Sequence, residues 1–79
     1  MTKGTITTRS IAEIDLIVGE NIRKFRQARR VTQVELAAVI EVSFQQLQKY
    51  ESGKNRTSAG KLYLISQFLD VPIAQFFTR

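Results

Sequence analysis

The chain of 79 residues has no cysteine, no histidine and a single proline. Without cysteine, it can form neither a disulfide nor a thiolate metal site. Without histidine, it also lacks the commonest general base and another common metal ligand. The carboxylates are not clustered, and no nucleophile stands beside a base. We therefore expect that the protein is not an enzyme, and we expect no metal, no cofactor and no small-molecule ligand.

Long apolar runs are missing as well. No stretch approaches the roughly 18 residues that a membrane span needs, and the first ten residues have no apolar segment of the kind found in secretory signals. The net charge is +5, which favours an anionic partner such as nucleic acid or an acidic membrane surface. We expect a single cytoplasmic domain of bacterial or phage type, with no membrane partner.

The first predicted helix follows a threonine-rich arm. Residues 1–9 include Lys3 and Arg9 and predict an arm without regular structure, for which a DNA contact is the alternative, and residues 10–79 predict one domain. Ser10 stands three residues before Glu13, which is the spacing of a capping box, and Asp15 is a second possible start. Apolar residues then recur at helical spacing at Ile14, Val18, Ile22 and Phe25, and the predicted helix ends near Arg29.

Four more helices are predicted after it. Thr32 and Ser43 each precede Glu or Gln by three residues, so they open helices that end near residues 40 and 51. Ser58 opens a fourth helix, and Pro72 precedes a short fifth one. The residues of the fourth helix expected to face inward are Leu62, Ile65, Phe68 and Leu69. The prediction is an all-α, compact five-helix domain.

The third helix has a polar face that the core does not need. If Leu47 and Tyr50 point inward, the residues three or four positions away from them on the other side point outward. These outward residues are Phe44, Gln45, Gln48 and Lys49. Glutamine pairs with adenine, lysine donates to guanine, and phenylalanine can contact a thymine methyl group. The alternatives are a core position for Phe44 and an ordinary solvated face for the other three.

Two motifs together carry a family resemblance. T-Q-x-E-L-A occurs at Thr32–Ala37 and Y-E-x-G-K at Tyr50–Lys54. With them, the chain from about residue 15 to 77 resembles the Cro/C1-type (XRE-like, lambda-repressor-like) DNA-binding family, in which helices 2 and 3 form a helix-turn-helix. Glu41 departs from the pattern, because the family often has glycine in this turn.

The resemblance implies a role for each matching residue. The four outward residues of helix 3 would read base edges, and Arg26 and Glu51 would form a buried structural ion pair. Phe76 and Phe77 would contribute a dimer contact, although both could instead complete the core of the monomer. The residues expected to contact the DNA backbone are Gln33, Ser43, Lys54, Asn55 and Arg56.

The resemblance therefore implies a sequence-specific transcriptional regulator. We expect a homodimer that binds a palindromic operator in double-stranded DNA, with repression as the default mechanism. The alternative is a protein-interaction module of the same fold, such as an antitoxin-like protein. An antitoxin usually adds an extended tail, whereas only Thr78 and Arg79 follow the last predicted helix.

Overall fold

A computed structural model describes residues 9–79. The predicted arm, apart from Arg9, lies outside these residues. Four α-helices and a 3-10 helix follow one another, and residues 9–79 contain no strand. The elements are α1 (Ile11–Ala28), α2 (Gln33–Val39), α3 (Phe44–Glu51), α4 (Ala59–Leu69) and the 3-10 helix (Ile73–Phe77). The prediction of five helices is thus corrected to four α-helices, because the last element is a 3-10 helix.

The α-helices begin where the sequence places their caps. The hydroxyls of Ser10, Thr32, Ser43 and Ser58 each accept a hydrogen bond from the backbone N–H three residues on. The capping boxes of α1 and α2 are complete. That of α3 is not, because the Gln46 side chain donates to Asn55 instead of returning to the cap. Asp15 lies inside α1 and does not begin it.

Glu41 adopts the left-handed conformation that the turn between α2 and α3 requires, with φ of 58°. Its N–H donates to the carbonyl of Ala38, and the N–H of Val42 donates to that of Ala37. These are the two hydrogen bonds of a Schellman motif. The turn therefore keeps its geometry without glycine, and the fold absorbs a backbone cost of about 1–2 kcal/mol.

The core lies where α1, α2, α3, α4 and the 3-10 helix meet. It is formed by the predicted inward residues of each element together with the residue that precedes Pro72. Its members are Val18, Ile22, Leu36, Ala37, Ile40, Leu47, Tyr50, Leu62, Ile65, Leu69, Val71 and Phe76. Ile14, Phe25 and Val42 are partly buried against it.

The prediction that Phe68 of α4 faces the core is wrong. Phe68 is 47% exposed, whereas Ser66 is buried and donates its hydroxyl to the carbonyl of Tyr63. At 3.6 residues per turn, Ser66 lies about 40° from Leu62 around the helix axis, but Phe68 lies about 120° away. The angular position excludes phenylalanine from the interior and admits serine.

Two hydrogen bonds from a side chain of α1 hold the final 3-10 helix. The side-chain amide of Asn21, which is buried, donates to the carbonyls of Phe76 and Thr78 at 2.9 and 2.7 Å. The ring of Phe76 is completely buried and meets Phe25 edge to face.

Within residues 9–79, no helix is long and apolar enough to cross a bilayer.

Candidate nucleic-acid interface

Helix α3 is fixed to the domain by one face. Leu47 is fully buried, and Tyr50 and Glu51 are each 7% exposed. The backbone of α1 comes very close at Gly19, where an added Cβ would clash with the carbonyl oxygen of Tyr50 and lie 2.8 Å from that of Glu51. Only glycine allows this approach, so Gly19 sets how closely the end of α3 packs on α1.

The opposite face of α3 is exposed. Phe44 is 42% exposed, which argues against its alternative as a core residue, and Gln45, Gln48 and Lys49 are exposed with it. The Gln48 amide donates to the side-chain oxygen of Gln33 at 3.3 Å. Within the described part of the chain, the side chains of Gln45 and Lys49 make no hydrogen bond. The four residues thus form one face, which we call the α3 outer face.

A buried polar network connects α1, α2 and α3 behind this face. Arg26 donates from Nε to Glu51 at 2.7 Å, from Nη2 to the same carboxylate at 3.2 Å and from Nη1 to the Val31 carbonyl. Gln33 donates to Glu51 at 2.9 Å. Because Gln33 also accepts from Gln48, a chain of hydrogen bonds runs from the ion pair to the α3 outer face.

An open cleft lies between α1 and the helix-turn-helix. Its walls carry two arginines, one carboxylate and three neutral polar side chains: Arg23, Arg26, Gln33, Gln48, Glu51 and Ser52. Since Glu51 is paired with Arg26, the remaining positive charge belongs to Arg23. Arg23 is exposed on α1, and no local feature of the sequence indicates that it lines the same cleft as Gln33.

The loop after α3 carries the other predicted backbone contacts. Lys54, Asn55 and Arg56 are all exposed. The side-chain oxygen of Asn55 accepts from Gln46 at 3.2 Å. Arg56 forms an ion pair at 3.0 Å with Asp15 of α1. The sequence did not indicate this pair, because 41 positions separate its members.

The two predicted dimer residues have different environments. Phe76 has no exposed surface, whereas Phe77 is 45% exposed. Neighbouring residues point in different directions around a helix, so one ring fills the core and the other leaves it. Phe76 cannot touch a partner while this core is intact, and its assignment as a dimer contact is corrected.

Comparison with known proteins identifies the family. A family model described as helix-turn-helix matches residues 22–76. An uncharacterized transcriptional regulator in the ATPase CF(0) region of Rhodospirillum rubrum is 51% identical over 71 residues, which are 90% of this chain and 66% of that protein. An uncharacterized HTH-type transcriptional regulator of Rickettsia prowazekii is 46% identical, and the match covers 85% of this chain and 52% of the relative. The chain belongs to the Cro/C1-type helix-turn-helix family, and it spans about half to two thirds of the length of these relatives.

Solved structures share the fold. The clp gene regulator ClgR from C. glutamicum superimposes with a TM-score of 0.74 at 28% identity, covering 80% of this chain and 82% of that one. The restriction-modification controller protein C.AhdI from Aeromonas hydrophila gives a TM-score of 0.71 at 21% identity, covering 78% and 94% of the two chains. The second likeness is one of fold alone.

Proposed function

We propose that this protein regulates transcription by binding a specific sequence of double-stranded DNA with the α3 outer face. The observation that carries the proposal is the division of α3 into two sides. Leu47 and Tyr50 anchor the helix, and the amides and the ammonium group on its other side project into solvent. An α-helix fits the major groove, and these side chains match the donors and acceptors of base edges there.

The residues around α3 would position it on the duplex. Gln33 at the start of α2, Ser43 at the start of α3 and the loop residues Lys54, Asn55 and Arg56 would contact phosphates. Such contacts fix the register of the protein on DNA but read no sequence. Affinity would fall steeply as salt rises, because each phosphate contact releases counterions.

We further propose a homodimer that represses from a palindromic operator in the cytoplasm. Support comes from exposed apolar side chains on the two adjoining elements at the carboxyl end of the domain. Leu64 and Phe68 of α4 are each 47% exposed, and Ile73 and Phe77 of the 3-10 helix are 40% and 45% exposed. A second copy of the chain would cover these side chains. Two α3 helices would then enter successive major grooves about 34 Å apart.

Selection of bound sequences from a random duplex library tests the proposal. We expect recovery of a palindrome whose half-sites are about one helical turn apart. A library that yields no enriched sequence, from a protein that is folded and at low ionic strength, would contradict sequence-specific binding.

Lys49→Ala tests the α3 outer face on the recovered sequence. We expect a loss of about 1–3 kcal/mol in binding and relaxed preference at one or two base pairs. Lys24→Ala is the matched control, because Lys24 lies over the Phe25 ring on α1, 5.2 Å from its centroid. It removes the same charge without changing α3. Equal effects of the two variants would show that Lys49 contributes charge and no base recognition.

A further inference from the structure

The ion pair between Asp15 and Arg56 joins the amino-terminal part of α1 to the loop after α3. The Arg56 Nε group lies 3.2 and 3.0 Å from the two carboxylate oxygens of Asp15. The Asp15 side chain is only 17% exposed, whereas that of Arg56 is 67% exposed. The carboxylate is therefore sheltered, and the guanidinium extends from it into solvent.

This geometry leaves one edge of the guanidinium unused. Arginine has five N–H donors in a planar fork, and Asp15 engages only the one on Nε. Within residues 9–79, the two terminal nitrogens of Arg56 make no hydrogen bond. Two such nitrogens can bind a phosphate bidentately. Asp15 thus holds Arg56 without occupying the edge that would face a phosphate.

The backbone near Arg56 is also fixed against α1. Gly53 is in the left-handed conformation with φ of 76°, and an added Cβ there would lie 3.0 Å from the Cα of Leu16. Leu16 is the neighbour of Asp15. The start of the loop and the side chain of Arg56 therefore both contact the same turn of α1.

We propose that Asp15 is a positioning residue for DNA-backbone binding, which orders the Arg56 side chain before the duplex arrives. The inference rests on the proposed function, since the phosphate it concerns belongs to DNA. Immobilising a long side chain on binding lowers affinity, and an order imposed beforehand removes most of that cost. The corresponding effect on the dissociation constant is about 2- to 10-fold.

A double-mutant cycle separates this role from the general effect of removing a negative charge. The four proteins are wild type, Asp15→Asn, Arg56→Ala and the double variant, and each is titrated with a labelled duplex of arbitrary sequence at low ionic strength. The cycle compares the change in dissociation constant that Asp15→Asn causes when Arg56 is present with the change that it causes in Arg56→Ala. We expect the first change to weaken binding more than the second does, by a ratio of about 2 to 10. Glu20→Gln is the matched control, because Glu20 also pairs with an arginine, Arg79, and its loss reports the effect of removing such a carboxylate at another site of α1.

A second measurement observes the ordering itself. In the free protein, 15N relaxation of the Arg56 Nε–H group should show a rigid side chain, which becomes mobile in Asp15→Asn while the backbone amides of residues 54–57 stay unchanged. Loss of order in those amides instead would show that the pair only anchors the loop, and would overturn the proposal.

The outcomes distinguish failure of the proposed function from failure of the positioning role of Asp15. If wild type binds no duplex, the proposed function fails, and the inference fails with it. Wild type could bind DNA while Asp15→Asn weakens binding no more with Arg56 present than in Arg56→Ala. Asp15 would then either have no effect on phosphate binding by Arg56 or compete with the phosphate. In that case only the inference is overturned.

Discussion

Replacing Arg26 by methionine should remove the three hydrogen bonds that its guanidinium donates, two of them to Glu51 of α3. The Glu51 carboxylate, whose side chain is 4% exposed, would lose both hydrogen bonds from Arg26 and keep only that from Gln33. The carbonyl of Val31 would lose its donor at 2.9 Å. Breaking a buried ion pair from one side typically costs about 3–5 kcal/mol. For a domain of this size, that corresponds to a fall of about 12 °C or more in Tm.

Urea unfolding followed by far-UV circular dichroism measures this loss, together with thermal melting. Arg79→Met is the matched control, since Arg79 pairs with Glu20 at 3.2 Å and both side chains are about half exposed. We expect the control to lose less than about 1 kcal/mol. The double variant Arg26→Met with Glu51→Leu leaves no unpaired charge buried at this site, so it should be more stable than Arg26→Met alone by about 2 kcal/mol or more. A stability loss for Arg26→Met no larger than that of the control would contradict a stabilising role for this ion pair, as would a double variant no more stable than the single one.

Three further predictions concern packing, pH and assembly. Gly19→Ala should destabilise the fold by about 1–3 kcal/mol or more, because its methyl group meets two backbone carbonyls of α3. Gly60→Ala is its control in the same urea titration, since no atom outside the adjoining part of α4 lies within 4 Å of the added carbon. The backbone N–H of Thr32, and then its hydroxyl, lower the pKa of the Glu35 carboxyl. Wild type should therefore have a higher Tm than Glu35→Gln at pH values above the ordinary glutamate pKa. This difference in Tm should vanish as pH falls through the lowered pKa of Glu35. A Tm difference that is constant with pH would contradict the prediction. Phe77→Ser should shift sedimentation velocity profiles toward the monomer while leaving Tm at low protein concentration nearly unchanged. A dimer dissociation constant equal to that of wild type would show that Phe77 is not part of the proposed interface.

Most of the secondary structure was predictable from local signals. Hydroxyl caps at residues 10, 32, 43 and 58 fix the helix starts, because each satisfies a backbone N–H three residues away. The division of α3 into an inner and an outer side also follows from sequence, since residues three and four apart share a helical face. The motifs that surround it gave the family, which the comparisons confirm.

The tertiary structure decided which side chains meet across long stretches of chain. Phe76 fills the core while Phe77 leaves it, and Ser66 is buried while Phe68 is not, because the angle around a helix axis outweighs hydrophobicity. The ion pair between Asp15 and Arg56 spans 41 positions. Local propensity fixes where a helix begins and which side is apolar. Only the packing of helices against one another determines which charged groups come within hydrogen-bonding distance, so the partner of Arg56 could not be read from either segment alone.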